Sequence, residues 1–308
     1  MHIRLSKIIK IIIFSCFCLL AQSCFTGVEG TGKINLSKKD EIILLPSEEE
    51  SYLADCTPST ISEWSPGKAF YVTDEKFKIL AESESYVPAA GDTIKYKSIT
   101  SRIGADGSEK STISFRHGGD VINLPLEKSL TIALNSVSAN DSPFLLDLDM
   151  IDHVKNKLKG KTLWTKSALW YNDSLKYIKG KKFYPVTVTE ILPGNSFFPI
   201  LVNFKAANGL NGSLLMSLAN INSDNRSFNR LFSLTDPRNT YKHISQANWE
   251  AIQNENLILG MTKEECRLSK GNPSETEGGH NYSNTMDIWL YPNGSYLRFV
   301  DGLLIDYK

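Results

Sequence analysis

Cysteine gives this chain its widest choice of chemistry, because a thiol can be acylated, oxidised, bound to a metal or used as a nucleophile. The chain has five cysteines. Cys16 and Cys18 lie inside an apolar run near the start, which leaves Cys24, Cys56 and Cys266 as candidates. The sequence around each of them indicates which reaction it can undergo.

Cys24 closes a segment with the pattern of a secretory signal. Arg4, Lys7 and Lys10 precede the apolar run Ile11–Leu20, and the small residues Ala21 and Ser23 come just before the cysteine. The apolar run is shorter than the roughly 20 residues that span a bilayer, which disfavours a permanent membrane helix. We therefore expect residues 1–23 to be a signal peptide, with a plain secretory signal cleaved elsewhere as the alternative.

This segment resembles the bacterial lipoprotein signal, in which the cysteine is acylated and becomes the mature N-terminus. The resemblance implies lipidation of Cys24 and makes the membrane a partner through the lipid anchor. Phe25 stands where, in the same class of signal, an aspartate would retain the protein at the inner membrane. The implied location is the cell envelope, anchored in the outer membrane and facing the periplasm.

Cys56 and Cys266 would remain as a pair in an oxidising compartment. They are a candidate disulfide that would join the start of the mature chain to its C-terminal region. The alternative is that they are two separate small buried side chains.

Patterns for metal binding or catalysis are weak. The histidines do not pair at metal-ligand spacing, and no two-cysteine zinc motif is present. The densest acidic cluster is Asp147, Asp149, Asp152 and His153, which favours the polar face of a helix. Cys266 with His243 or His280 is the remaining candidate for a thiol hydrolase, but its position predicts a core residue. We expect no catalytic residue, no metal and no cofactor.

A lysine-rich segment, residues 155–182, is the most suggestive surface feature. It has nine lysines and one acid, with aromatic residues interleaved. The candidate binding surface consists of Lys157, Lys159, Lys161, Trp164, Trp170 and Tyr171. Such a segment could contact an acidic polymer, lipid headgroups or an acidic patch on a partner. The alternative is that the lysines occupy exposed positions of strands and protect the strand edges against aggregation.

Composition excludes a general affinity for polyanions. Removal of residues 1–23 takes away three basic and no acidic side chains, which leaves 31 basic and 34 acidic groups and a formal charge of −3. Near-neutrality gives no electrostatic reason to bind nucleic acid. Hydrophobic residues make up 41% of the chain, enough to build packed cores.

Changes in local composition and in the pattern of apolar residues divide the mature chain into five parts. We predict a flexible tether over 24–60, a β-rich module over 61–135, a linking segment with a short helix over 136–158, a second β-rich module over 159–235 and an α+β domain over 240–308. The fold class is therefore mainly β with an α+β C-terminal domain.

The two β-rich modules look alike. The segments Gly67–Tyr71, Ile94–Tyr96, Ser111–Phe115 and Val121–Leu124 correspond in order and spacing to Gly160–Trp164, Tyr184–Val188, Ile200–Phe204 and Leu214–Leu218. This indicates a duplicated unit. Four or five short strands suffice for a small, partly closed barrel, and the pattern resembles bacterial SH3-like barrels.

The C-terminal part has strong local signals. Ser245 begins a helix predicted to reach Ile258, and Thr262 with Glu265 forms a capping box with Met261 and Cys266 as its hydrophobic staple. Asn293-Gly294 then joins two strands in a hairpin.

Four motifs of this part, Gly260–Glu265, Gly271-Asn272-Pro273, Trp289–Tyr291 and Phe299–Gly302, resemble the SmpA/OmlA (BamE-like) domain family. The resemblance implies two helices packed on a small antiparallel sheet, in a class of small outer-membrane lipoproteins.

These expectations favour a lipid-anchored envelope protein that binds other proteins, as a scaffold or assembly accessory, without catalysis. The first alternative is recognition of cell-wall peptidoglycan by the SH3-like barrels. The second is a cysteine hydrolase that uses Cys266.

Overall fold

Strands dominate the fold. The computed structural model describes residues 47–83, 86–141, 144–218, 226–280 and 285–308, and it is mainly β, with 38% strand and 22% helix in curled antiparallel sheets that form a half-barrel. The predicted signal peptide, the lipidation site Cys24 and the first part of the predicted tether lie outside the described residues. In the part that is described, no helix combines the length and the apolar character needed to cross a membrane.

The first sheet forms from strands whose side chains alternate between core and solvent. In the third strand, Ser111, Ile113 and Phe115 are buried and the residues between them are not. The strands are β1 (Ala69–Val72), β2 (Thr93–Ile103), β3 (Glu109–His117), β4 (Asp120–Leu126) and β5 (Leu145–Asp147). Their spatial order is β4-β3-β2-β1-β5, so the last strand returns to pair with the first.

The second sheet contains seven strands. They are β6 (Thr162–Thr165), β7 (Leu169–Tyr171), β8 (Tyr177–Lys179), β9 (Tyr184–Pro193), β10 (Ile200–Ala206), β11 (Asn211–Met216) and β12 (Phe232–Ser233). Their order is β12-β6-β9-β10-β11-β7-β8. Without β7 and β8, which extend the edge at β11, this order is the same as that of the first sheet.

The third sheet is a four-stranded antiparallel meander of β13 (Glu275–His280), β14 (Thr285–Leu290), β15 (Tyr296–Val300) and β16 (Leu303–Tyr307). The predicted hairpin at Asn293-Gly294 is confirmed, with Gly294 at φ 78°. Strand β13 was not expected, because its residues give no strong alternation of apolar side chains.

Short helices connect and cover the sheets. They are α1 (Glu48–Ser51), α2 (Phe77–Leu80), α3 (Leu130–Ser136), α4 (Leu148–Leu158), α5 (Phe228–Leu231), α6 (Gln246–Gln253) and α7 (Lys263–Lys270). The capping box predicted for α7 is confirmed, since the Thr262 hydroxyl accepts from the Glu265 amide and the Glu265 carboxylate accepts from the Thr262 amide. Helix α6 begins after Ser245 as predicted but ends at Gln253, because Glu255 adopts a positive φ of 57°.

Within the described residues, three separate hydrophobic cores lie behind the three sheets. Phe70, Ile94 and Phe115 belong to the first. Leu163, Val202 and Phe204 belong to the second, which α4 also covers with its buried face. The third joins Trp249 and Met261 to Phe299 and other residues of the last sheet.

The predicted tether ends earlier than residue 60. Leu53 and Cys56 are buried in the second core, and Ile61 is buried in the first. Residues 47–60 are therefore packed against the folded body, and the prediction of a flexible tether over this part was wrong. In the sequence, Leu53 and Cys56 lie in a short stretch of mostly polar residues, so no regular pattern predicted that they would be packed.

The segment predicted as a linker, residues 136–158, is part of the folded body. Its strand β5 pairs with β1, where Tyr71 lies opposite Leu146, so it completes the first sheet. Its helix α4 begins at the Asp147 N-cap and buries Val154 and Leu158 in the second core. The predicted helix is confirmed, and the segment contributes a strand to the first sheet and a helix to the second core.

Candidate functional site

The lysines of residues 155–182 largely face acids of the same chain. Lys155 and Lys159 each lie 2.6 Å from Glu190, and Lys157 pairs with Asp55. Lys166 lies 2.5 Å from Glu49. Hydrogen bonds from Lys155 and Lys159 lower the pKa of Glu190 to about 2, so its charge persists at any physiological pH. This segment is therefore more nearly neutral than its composition indicates.

The aromatic residues of the candidate surface are only partly available. Trp170 is 1% exposed, and its indole N–H donates to the Ser167 carbonyl at 2.8 Å. The prediction that Trp170 contributes to a binding surface was therefore wrong. Gly180 makes this burial feasible, since a Cβ there would lie 2.1 Å from the Trp170 ring. Trp164 and Tyr171 are half-buried.

Among the predicted lysines, Lys159 and Lys161 are exposed, and the Lys161 ammonium lies 5.8 Å from the Tyr52 ring centroid. That contact is a cation–π interaction with the packed N-terminal segment. The structure thus engages Lys157, Lys159 and Lys161 in contacts within the chain, and of the three only Lys157 and Lys161 are given a shared neighbour, the Tyr52 ring.

A different basic site is built by the pairing of β2 and β3. Lys95 lies opposite Arg116 in the register, so their side chains share one face of the sheet. The register shifts between Tyr96 and Ser98, which leaves Lys97 as the extra residue of a bulge. Bulges redirect side chains, and Lys97 is half-buried at the same concavity as Lys95.

The walls of this concavity come from neighbouring turns. The Gly67 amide donates to the Tyr96 carbonyl at 2.7 Å, which holds the Pro66-Gly67 turn against β2. Gly118, at φ 58°, turns the chain from β3 into β4 on the opposite side. We call this concavity, lined by Pro66, Gly67, Thr93, Lys95, Tyr96, Lys97, Arg116, His117 and Gly118, the basic pocket.

His117 is positioned at the rim by two contacts. Its Nδ1 lies 3.1 Å from the Thr93 carbonyl oxygen, and its ring stacks on Tyr86 at 5.0 Å. The Tyr86 hydroxyl donates to Asp92 at 2.6 Å, and this bond together with the Ala89 amide lowers the pKa of Asp92. The histidine ring therefore has a defined orientation.

The basic pocket has a volume of about 650 Å³, within the range of small-ligand sites. Among its lining residues three are basic and none is acidic, and within the described part of the chain Lys95, Lys97 and Arg116 form no ion pair. Such a site can accept an anionic group such as a carboxylate. The alternation Lys95-Tyr96-Lys97 is visible in the sequence, but its meeting with Arg116 depends on the strand register.

The two remaining cysteines are free. Cys56 lies in the second core and Cys266 in the third, so the candidate disulfide between them is corrected to the alternative of separate buried thiols. Burial, with a contribution from the charge of Glu265, raises the pKa of Cys266 to about 12. A thiol of this kind stays protonated at neutral pH.

The predicted partners of Cys266 lie in other arrangements. His243 Nε2 is 2.8 Å from Glu264, in an exposed pair. The acidic cluster is divided as well, because Asp147 is buried against Lys68 at 2.8 Å while Asp152 is exposed.

The chain matches no known family model, no curated protein and no solved structure.

Proposed function

We propose that this chain is a lipid-anchored protein of the cell envelope that acts by binding, without catalysis, and that it recognises its partner through the basic pocket. The observation that carries the proposal is the meeting of Lys95, Lys97 and Arg116 around a concavity that has no acid among its described lining residues. The partner that fits best is an acidic segment of another envelope protein. Cations that form no ion pair with the described residues are available to such a segment.

Two finer parts of the proposal concern architecture. In each of the first two sheets, a short strand reached through a helical turn pairs with the first of four neighbouring antiparallel strands, and in the second sheet β7 and β8 are inserted in the chain after that first strand. This shared order supports two duplicated SH3-like barrels. The helices α6 and α7 precede a four-stranded antiparallel sheet, which supports the resemblance of residues 240–308 to the SmpA/OmlA (BamE-like) domain family.

The absence of catalysis is part of the proposal. Cys266 is fully buried, and its raised pKa disfavours the thiolate that a cysteine hydrolase needs. This supports binding over hydrolysis for the site that the sequence suggested.

The anchor at Cys24 is tested by mass spectrometry of the protein purified from its native membrane. We expect a mature N-terminus at Cys24 that carries acyl mass, and release of a Cys24→Ser variant from the membrane fraction. A mature protein that begins elsewhere and carries no lipid would contradict the anchored location.

Recognition is tested by reversing charges at the basic pocket. We expect Lys95→Glu with Arg116→Glu to abolish co-purification of the partner after crosslinking in the native membrane. The matched control is Lys176→Glu with Lys179→Glu, which changes the same charge on exposed residues in and next to β8. Equal loss of the partner in both variants, or in neither, would refute recognition by the basic pocket.

The second candidate ligand is peptidoglycan, favoured by the concave shape of the pocket and by the carboxylates of the wall peptides. Retention on isolated cell-wall material separates the two candidates. If the wild type is retained and the Lys95→Glu, Arg116→Glu variant is not, peptidoglycan replaces the protein segment as the ligand.

A further inference from the structure

Three side chains with metal-binding atoms converge where the packed N-terminal segment meets α4. Asp55 and Cys56 come from that segment, and His153 comes from the helix. Their carboxylate oxygen, sulfur and ring nitrogen all lie within 4.8 Å of one another. Asp55 Oδ2 is 3.5 Å from His153 Nε2, and Cys56 Sγ is 3.9 Å from Asp55 Oδ1.

The fold fixes both sides of this cluster. Leu53 and Cys56 are buried in the second core, which anchors the segment that carries Asp55. Val154 and Leu158 bury the inner face of α4, and His153 is left on its exposed side. The carboxylate and the imidazole are both accessible to solvent, so an ion can enter although the thiol is buried.

The spacing suits a small tetrahedral ion. With metal–ligand bonds of about 2.0–2.3 Å, tetrahedral geometry places pairs of ligand atoms roughly 3.3–3.8 Å apart. The 3.5 Å between Asp55 Oδ2 and His153 Nε2 lies in that range. Small side-chain rotations of exposed Asp55 and His153 would bring both groups to the same distance from Cys56 Sγ, which already lies within 4.8 Å of a ligand atom on each.

We propose that Asp55, Cys56 and His153 bind Zn²⁺, with water as the fourth ligand. A set of one sulfur, one imidazole nitrogen and one carboxylate oxygen matches the borderline-soft character of this ion. Calcium and magnesium prefer oxygen ligands alone and are excluded by the thiol and the imidazole.

Lys157 modulates the site. Its ammonium contacts Asp55 Oδ1 and donates to the Tyr52 carbonyl at 3.1 Å, so it shares the carboxylate with the ion. The other oxygen, Oδ2, faces His153 and is the one placed to bind Zn²⁺. A positive charge so close to a divalent cation weakens its binding, and Lys157 therefore sets the affinity below that of the three ligands alone.

Binding would fasten the segment that follows the membrane tether to α4. Residues 56 and 153 are far apart in the chain, so the ion would close a long loop and restrict the unfolded state. Zinc would thereby hold the folded body in a fixed relation to the start of its packed segment. This inference does not depend on the basic pocket, which lies on the first sheet.

The test is titration of the full-length chain, purified in detergent, with Zn²⁺ and with Co²⁺ as a spectroscopic probe. We expect one Zn²⁺ per chain and a cobalt spectrum with a near-ultraviolet thiolate charge-transfer band. Cys56→Ser should abolish the band, and Cys56→Ser and His153→Gln should each weaken Zn²⁺ binding at least 100-fold, since loss of even an outer-shell partner weakens metal sites by about 10–100-fold.

Controls separate this site from adventitious binding. Asp152→Asn, one residue away on the exposed side of α4, and Cys266→Ser in the third core should leave the affinity and the band unchanged. His153 is exposed, so His153→Gln is informative even if a change at buried Cys56 disturbs folding. Lys157→Met should tighten binding by on the order of 10-fold.

Hydrogen exchange provides a second readout. We expect Zn²⁺ to increase the protection of amides in residues 47–60 of the wild type but not of His153→Gln. Binding that is unchanged by Cys56→Ser and His153→Gln, or that Lys157→Met weakens, would overturn the proposal. So would the absence of one tightly bound Zn²⁺ per wild-type chain.

Discussion

Lys68 and Asp147 form the most deeply buried ion pair among the described residues. Their side chains are 8% and 2% exposed, and the Lys68 ammonium lies 2.8 Å from the carboxylate. Ser59 donates to Asp147 through both its amide and its hydroxyl, each at 3.2 Å. Burial alone would lower the pKa of Lys68, but hydrogen bonds to Asp147 and Asp149 raise it. The pair joins the entry of β1 to the start of α4.

Loss of this lysine should destabilise the protein strongly. Lys68→Met leaves the Asp147 carboxylate buried without its counter-ion, and removal of one partner of such a pair lowers the free energy of unfolding by about 3–5 kcal/mol. Lys110→Met is the matched control, since Lys110 pairs with the exposed Glu127 and should change stability by less than about 1 kcal/mol. Urea denaturation measures both. Equal effects would show that the Lys68 pair is screened like a surface pair.

At the scale of elements, α1 is held to the second sheet by Glu49. Its carboxylate accepts from Lys166 at 2.5 Å, from the Ser233 hydroxyl at 2.6 Å and from the Leu234 amide at 3.0 Å. Burial alone would raise the pKa of Glu49, but these hydrogen bonds outweigh it and lower the pKa below 4.5. The folded state therefore favours the charged form.

The sign of the pH effect follows from that shift. A carboxyl with a lowered pKa in the folded state contributes stability above pH about 4.5, and this contribution is lost as the pH falls through the folded-state value. Glu49→Gln should lower the free energy of unfolding by about 1–2 kcal/mol at pH 7 and reduce its decline in acid. The exposed neighbour substitution Glu48→Gln is the control. If the free energy of unfolding fell equally with decreasing pH in the wild type and in Glu49→Gln, this account would be contradicted.

The elements differ in how far local sequence predicts them. The capping box at Thr262 and the turn at Asn293-Gly294 depend on residues a few positions apart, and both were predicted. The pairing of β5 with β1 depends on residues more than 70 positions apart and was missed. Long-range pairing is fixed by the packing of cores, which a single sequence does not display.

The same distinction explains the candidate sites. Trp170 was placed on the surface because its lysine neighbours are polar, whereas the space left by Gly180 appears only in three dimensions. Lysines of the same segment find acids such as Glu190 and Asp55 that lie elsewhere in the chain. The basic pocket was missed because β2 and β3 had to be placed in register before Lys95 could meet Arg116.

At the scale of the whole molecule, residues 47–308 form one compact unit although they contain three cores. Phe183 connects the second sheet to the third core. Its ring stacks on Trp249 at 5.6 Å, and its carbonyl accepts from Gln253 at 3.2 Å. Phe183 adopts a positive φ of 49°, a conformation that costs a bulky residue about 1–3 kcal/mol. The packing of its ring on the third core offsets that strain.

Phe183→Ala should uncouple the third core from the rest. The variant keeps the backbone strain but loses the stacking, which we expect to weaken the third core by about 2 kcal/mol and to speed exchange of amides in residues 246–270 about 30-fold. Exchange in β9 and β10 should change little, because their core does not contain the ring. Phe183→Gly relieves the strain as well and should lose less stability. The control is Phe197→Ala, where the ring is 78% exposed. If amide exchange in Phe183→Ala rises by the same factor in all three sheets, the three cores unfold together even without this contact, and the prediction is wrong.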